Sequence, residues 1–150
     1  MADVYADLGA WALAKLRATP AVTNLVMDDL LLEAGDLTAE ALTEAQETRR
    51  EAGETDRVLA VVVQDTGEQE LVASCAVFIY DRYGYATIRT VREAVITALV
   101  NRPALLVRDA CVNQVKYAGR SGHAIDRLLD LDFERVNFSG AIIAERDIYS

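Results

Sequence analysis

The sequence has few of the residues that usually build catalytic and metal-binding sites. Its 150 residues include one histidine, two cysteines and two prolines. Because His123 is the only histidine, a metal site built from several histidines is excluded, and a Ser-His-Asp arrangement would depend on one loop residue. Ser121 and Asp126 lie nearby in sequence, but no predicted helix or strand fixes their spacing. We therefore expect no catalytic, cofactor-binding or metal-binding residues, and we interpret His123 as a solvated loop residue.

The two cysteines do not indicate a disulfide framework. Cys75 and Cys111 stand in apolar contexts, VASCAVF and RDACVNQ, and not in a C-x-x-C pair. We interpret both as buried thiols in a reducing compartment. The amino terminus carries Asp3 and Asp7 where a signal peptide would carry lysine or arginine, and no apolar run reaches the ~18 residues that a membrane span needs. The sequence thus predicts a soluble protein made in the cytoplasm, without a membrane partner.

Basic residues are outnumbered by acidic ones. Lysine and arginine total 15 against 24 aspartates and glutamates, which gives a formal net charge of −9. A field of this sign repels the phosphate backbone of nucleic acids. We therefore do not expect the chain to bind DNA or RNA by itself.

Two groups of charged residues are predicted to lie on solvated surfaces. The first group has arginines next to glutamates, as is typical of exposed mixed-charge faces: Arg49, Arg50, Arg89 and Arg92. The second is an acidic run that lacks the spacing of a calcium-binding loop: Asp126, Asp130, Asp132 and Glu134. Neither group is predicted to form a binding site.

The length and the 52% hydrophobic content fit one domain spanning residues 1–150. Its first part predicts a pair of helices. The first helix has an apolar stripe at spacings of three or four, with Asp3 as a candidate N-cap and Trp11 as a core anchor or subunit contact. Thr19-Pro20 ends it and starts a second, shorter helix, since proline is well tolerated at the first helical position.

Residues 36–57 form a polar excursion rich in glutamate, alanine and threonine. Only Leu37 and Leu42 can be buried there, and Gly53 marks the end of the segment. The pattern predicts an exposed helix or a mobile segment, because little apolar surface would hold it down. We consider it a natural place for contact with a neighbouring molecule.

The middle of the chain predicts a sheet. The runs 58–65 and 71–81 are rich in β-branched and aromatic residues, and Gly67 between them suits a hairpin turn. Residues 87–102 follow with the apolar stripe of one main covering helix, which contains Val95. Two further strands are predicted at 111–117 and 131–147. The expected fold class is therefore α+β: an amino-terminal helix pair and an antiparallel-rich sheet made of a hairpin, a helix and two more strands.

The turn before the main helix, DRYGYAT, could be either a catalytic loop or a purely structural one. A nucleophile elbow needs a nucleophile at this position, and a phosphate-binding loop needs several glycines and usually a lysine. Gly84 is the only glycine here, and it stands between Tyr83 and Tyr85. We interpret the turn as scaffold with an exposed aromatic contact surface. Its candidate interface residues, together with one in the carboxyl-terminal segment ERDIYS, are Arg82, Tyr83, Gly84, Tyr85 and Tyr149.

The helix pair, the hairpin and the segments FIYDRYGYATIRTVREAVITAL and LDFERVNFSGAIIAERD resemble the tail terminator, or tail-completion, proteins of long-tailed bacteriophages. The resemblance covers most of residues 1–35 and 58–150. It implies a small α/β subunit that assembles as a hexameric ring, caps the growing tail tube and joins the head connector. No catalytic residues are implied.

This resemblance implies a non-enzymatic virion protein at the neck, the head-proximal end of the tail. The implied partners are other copies of the chain, the tail tube protein and the head-closure or connector protein, with genomic DNA passing through the bore without specific binding. Three alternatives remain open: another neck component such as a head-closure or stopper protein, a small cytosolic enzyme, and an adaptor domain.

Overall fold

A computed structural model describes residues 3–54, 56–82, 85–107 and 110–144. These ranges contain four α-helices, one 3₁₀ turn and eight β-strands. The helices are α1 (Leu8–Arg17), α2 (Pro20–Thr23), α3 (Ala39–Ala52) and α4 (Tyr85–Leu99), with the 3₁₀ turn at Ala34–Asp36. The strands are β1 (Leu31–Glu33), β2 (Ala60–Gln69), β3 (Val72–Asp81), β4 (Ala104–Leu106), β5 (Ala110–Val112), β6 (Lys116–Arg120), β7 (Ala124–Asp126) and β8 (Leu131–Ala144). The predicted α+β class is confirmed.

The sheet is organised around β8, its longest strand. The order β1-β2-β3-β8 forms one side of the sheet, and β3 pairs antiparallel with β8 over ten residues. The other edge of β8 pairs in turn with β7, β6 and β5, and β4 pairs with β5. Between the strands described here, β1 and β2 pair parallel and every other pair is antiparallel, which confirms the antiparallel-rich sheet.

The predicted hairpin forms, but its turn lies elsewhere. Gly67 lies inside β2, at a shift of register that follows Asp65. The turn consists of Glu70 and Leu71, both with positive φ (50° and 66°), between the paired residues Gln69 and Val72. Two-residue hairpin turns of this kind favour Asn-Gly, because both positions require φ above zero. The sequence Glu-Leu carries no such signal, so the prediction of a turn at Gly67 is wrong.

Helices α1 and α4 cover one face of the sheet. Side chains alternate along each strand, so the residues of β2, β3 and β8 that face these helices recur at every second position. They form one buried cluster with the helix stripes, and Trp11 and Val95 both lie in it as predicted. The cluster includes Leu8, Trp11, Leu16, Val61, Val77, Ile88, Val95, Leu99, Val136 and Phe138.

Helix α1 starts later than the sequence indicated. Asp7, and not Asp3, is its N-cap, and the Asp7 carboxylate accepts a hydrogen bond of 2.8 Å from the Ala10 amide. Tyr5 precedes the helix and bridges to Leu106 of β4. The second helix begins at Pro20, as predicted, but has only four residues.

Helix α3 forms most of the polar excursion, and its buried residues are Leu42, Ala45 and Arg49. Leu42 and Ala45 pack in a second buried cluster, which lies against the opposite face of the sheet around Ala60. Arg49 is buried as well, and its guanidinium donates to the Asp81 carboxylate at 2.6 Å. The expectation that Arg49 is solvated is therefore wrong, because this arginine joins the excursion to the end of β3.

The last third of the chain is more divided than predicted. The single strand expected at 111–117 is two strands, β5 and β6, which pair with different parts of β8. Gly140 allows β5 to lie close to β8, since a side chain at this position would collide with Val112. The end of the strand predicted at 131–147 lies outside the described residues. None of the described helices has the length and apolar character to cross a membrane.

Candidate functional site

The predicted contact site at the β3–α4 connection is only partly described. Arg82 is exposed, and its amide donates to the Asp81 carboxylate at 2.7 Å. Tyr85 is the first residue of α4 and is half-buried. Tyr83, Gly84 and Tyr149 lie outside the described residues. Their role as interface residues therefore stays a prediction.

Tyr85 anchors the start of α4 to the sheet. Its hydroxyl donates a hydrogen bond to the carboxylate of Glu134 on β8. The same oxygen accepts from Arg92 at 3.1 Å and from Arg120 at 2.9 Å. Arg92 also donates to both carboxylate oxygens of Glu134, at 3.0 and 3.1 Å. Four side chains from α4, β6 and β8 thus form one network, which we call the Glu134 cluster.

Glu134 is ionised inside the protein. Its exposed fraction is 0%, and burial by itself raises the pKa of a carboxyl group. The hydrogen bonds from Tyr85, Arg92 and Arg120 outweigh burial and hold the pKa of Glu134 below its ordinary value. For Arg92, burial lowers the pKa, but the bonds to Glu134 more than compensate and the net pKa is raised. The pair is therefore a charged buried pair.

His123 extends the cluster towards solvent. Its ring stacks on that of Tyr85, with centroids 4.9 Å apart, and its Nε2 lies 2.9 Å from the Asp132 carboxylate. The neighbouring Ser121 hydroxyl is engaged elsewhere, donating to the Gly122 carbonyl and accepting from the Arg135 amide. The exposure predicted for His123 is confirmed, whereas its stacking and its aspartate partner were not anticipated. A Ser-His-Asp hydrolase site does not match these contacts.

The Glu134 cluster corrects two predictions from the sequence. Arg92 and Glu134 were both interpreted as surface charges, and both are buried. The sequence does contain a signal for the burial of Glu134. In a strand, residues two apart face the same side, and Glu134 therefore faces the same side of β8 as the buried Val136 and Phe138. Its lone pairs are taken by Tyr85 and two arginines, so the cluster is built to fasten α4 to the sheet.

The cysteine in the core is not a nucleophile. Cys75 lies on β3 among the buried residues, and its exposed fraction is 1%. Burial is the main cause that raises the pKa of this thiol to about 12, with a smaller contribution from the negative charges of Asp65 and Asp7. The thiol therefore stays protonated at neutral pH. Cys111 is only half-buried, contrary to the expectation of two buried thiols.

Four of the exposed apolar side chains lie at two ends of the sheet. At one end, Leu71 and Val72 at the hairpin tip are 70% and 41% exposed. At the other end, Ile125 and Leu128 are 62% and 98% exposed, and Leu128 lies in the turn that leads from β7 into β8. We call these the hairpin-tip surface (Glu68, Glu70, Leu71, Val72) and the β7-loop surface (Arg82, Ile125, Arg127, Leu128).

Both surfaces have ordered backbone geometry. The Asp126 carboxylate accepts hydrogen bonds from the amides of Leu128 and Leu129, at 3.0 and 3.1 Å, which fixes the β7 loop. At the hairpin tip, the carbonyl of Leu71 accepts a hydrogen bond of 2.7 Å from the Ile142 amide. The two exposed leucines are therefore held in place by neighbouring hydrogen bonds.

The described residues offer little that would hold a small ligand. Within the described ranges, no group of three or more histidine, cysteine, aspartate or glutamate side chains could hold a metal ion. A broad depression of about 750 Å³ lies between α2 and β1 and is open to solvent. Arg17 lines it, but the Arg17 guanidinium already donates to the Leu31 carbonyl at 3.0 and 3.2 Å.

Comparison with known proteins gives a relationship of fold. No protein-family model and no curated protein matches the sequence. Among solved structures, a chain from the virion of a native gene transfer agent particle superposes with a TM-score of 0.63 at 14% sequence identity. The match covers 91% of this chain and 94% of the other. The two chains share a fold.

Proposed function

We propose that this chain is a structural protein of a phage-like virion. The observation that carries the proposal is the match in fold to a chain of a gene transfer agent virion, which extends over nearly the whole of both chains. Such coverage leaves less than a tenth of either chain outside the match. This is more than a shared hairpin or a shared helix packed on a sheet.

Within the virion, we propose the role of a tail terminator. The chain forms a ring, with six copies as the expected number, that caps the tail tube, stops its growth and joins it to the head connector. This finer role rests on the resemblance of the segments around α4 and β8 to tail-completion proteins. The protein is made in the host cytoplasm and is placed at the neck of the particle.

The contacts of the ionisable side chains support a structural role over an enzymatic one. Glu134 and Arg92 satisfy each other, and the Cys75 thiol is kept protonated. Arg49 and Asp81 join α3 to the sheet in the same manner. The buried charges that could have formed a catalytic site are thus used to hold elements together.

The net charge supports a bore that lets DNA pass without gripping it. DNA affinity grows with the number of phosphates that lysine and arginine neutralise. Each copy carries a formal charge of −9, and a ring multiplies this charge by the number of copies. We therefore expect the purified protein to show no measurable DNA binding at ~150 mM salt. Tight binding under these conditions would contradict a passive bore.

The deciding experiment is deletion of the gene followed by electron microscopy of the particles. A terminator mutant should produce tails of uncontrolled length that do not join heads. Tails of normal length that fail to join, with heads that lose DNA, would instead indicate a head-closure or stopper protein. Intact infectious particles that never contained the chain would refute the virion role.

A further inference from the structure

We propose that neighbouring copies of this chain contact each other head to tail, with the hairpin-tip surface of one copy on the β7-loop surface of the next. This inference rests on the proposed function, because it names the contact that would build the ring. The two surfaces are different, as a heterologous interface requires if copies are to form a ring.

The positions of the two surfaces fit such a contact. Leu71 is bonded to Ile142, near the end of β8, whereas Leu128 lies just before its first residue, Leu131. About ten residues of strand separate the two ends, or roughly 30 Å at ~3.3 Å per residue. One copy can therefore present both surfaces at once, to two different neighbours.

The chemistry of the two surfaces is complementary. Each exposed leucine follows a charged residue, and these two residues have opposite signs: Glu70 precedes Leu71, and Arg127 precedes Leu128. Glu68 adds a second negative charge at the hairpin tip, and Arg82 lines a groove beside Leu128. Among the described residues, no ion pair engages the side chains of these four charged residues.

Both ends also carry charges of the other sign. Lys116 lines a depression next to Ile143 at the hairpin end, and Asp130 follows Leu128 in the β7 loop. Asp126 adds a second negative charge at the β7 loop, so the complementarity is carried by the opposite signs of the residues next to the two leucines. Apolar contacts between the leucines, flanked by opposite charges, favour a second copy of this chain as the partner.

Disulfide cross-linking tests the contact directly. We would introduce Glu70→Cys and Arg127→Cys together, in a Cys111→Ser background, and oxidise purified particles that carry the variant. A disulfide requires the two Cα atoms to lie within about 7 Å, so the two cysteines of one chain cannot reach each other. We expect a ladder of cross-linked oligomers on a non-reducing gel, ending at the ring. The matched controls are the two single-cysteine variants, which should give no ladder.

Each outcome decides between the hypotheses. Particles that contain the chain but show no ladder overturn the contact and leave the virion role standing. Dimers from Glu70→Cys alone would indicate a symmetric contact, and a cross-link to another particle protein would indicate a different partner; both overturn the proposal. If particles lack the chain, the virion role fails, and the contact is judged on the concentrated purified protein. A ladder there supports it, and no ladder overturns it.

Charge reversal provides an independent check. Glu70→Arg and Arg127→Glu should each raise the concentration needed for assembly by roughly tenfold, since like charges then face each other. The double variant restores the opposite signs and should recover most of the loss. Native mass spectrometry of the assembled protein measures this, and circular dichroism confirms that each variant is folded. If the double variant instead shows the sum of the two single losses in assembly, Glu70 and Arg127 do not face each other.

Discussion

The hydroxyl of Tyr85 donates a hydrogen bond to the carboxylate of Glu134, 49 residues further along the chain. This bond ties the first residue of α4 to the middle of the sheet, next to the turn that the sequence singles out as a contact surface. The same carboxylate receives Arg92 and Arg120, so one buried charge holds the start of α4 on the sheet.

Arg92 contacts a buried carboxylate, that of Glu134, and an exposed one, that of Glu93. Removal of the buried carboxylate should lower the free energy of unfolding far more. We predict that Glu134→Ala lowers the free energy of unfolding by about 3–5 kcal/mol, because it leaves Arg92 buried without its main partner. The control is Glu93→Ala, since Glu93 also contacts Arg92 but its side chain is 67% exposed. Its loss should change stability by less than about 1 kcal/mol. Urea unfolding followed by fluorescence of Trp11 measures both, and equal effects would contradict the structural role of Glu134.

The stability of the protein should depend on pH through Glu134. The pKa of this group is lowered in the folded state, so its stabilisation is complete above the unfolded pKa of about 4.3 and is lost as pH falls through the folded pKa. We predict that the difference in unfolding free energy between wild type and Glu134→Gln is constant from neutral pH to about pH 5.5 and shrinks below about pH 4.5. Urea titrations across this range test it. A difference that grows on acidification would show that the pKa is raised.

Gly9 should be required by the packing of α1 on β2. A Cβ at this position would lie 2.8 Å from the backbone nitrogen of Asp65, and the Gly9 amide donates to the Asp65 carboxylate at 3.1 Å. Helix propensity alone favours Ala over Gly by about 1 kcal/mol. We nevertheless predict that Gly9→Ala destabilises the protein, by about 1–3 kcal/mol, because the helix must move away from the strand.

A matched control for Gly9 is Gly35→Ala. Nothing lies within 4 Å of the position that a Cβ would take at Gly35. This variant should be neutral or slightly stabilising, since it restricts only the unfolded chain. Thermal unfolding of both variants tests the pair, and a stabilised Gly9→Ala would show that α1 can shift without loss.

The hairpin turn should be improvable. Glu70 and Leu71 both have positive φ, which costs non-glycine residues roughly 1–2 kcal/mol each. We predict that Glu70→Asn/Leu71→Gly raises the free energy of unfolding by about 1–2 kcal/mol, since Asn-Gly suits this turn. The variant removes a charge and the exposed leucine, so assembly should weaken while the monomer is stabilised. A variant that is stabilised and assembles normally would show that the turn takes no part in the contact between copies.

The sequence predicted what depends on local patterns. The apolar stripe around Val95 and the runs that became β2 and β3 are strong periodic signals, and they were found within a few residues. Short strands such as β1, β4 and β7 have three residues each and no periodic signal of their own. They form because a neighbouring strand offers unpaired backbone groups, which is a property of the folded sheet.

The buried charges show more clearly what the sequence alone cannot predict. Arg49 follows Leu42 and Ala45 on one face of α3, yet its neighbours in sequence suggest solvent. Its burial is tolerated because its guanidinium donates to the carboxylate of Asp81, 32 residues away, and to the carbonyl of Arg57. A pairing of this kind depends on tertiary structure and cannot be derived from composition or spacing.

The central place of β8 also bears on how the chain folds during its synthesis. The hairpin of β2 and β3 can form early, but β3 then keeps an open edge, and β6 and β7 have no partner strand until residues 131–144 leave the ribosome. An apolar strand with an open edge is prone to pair with other chains. The nascent protein is therefore expected to need protection by chaperones, above all in the interval between the synthesis of β3 and that of β8.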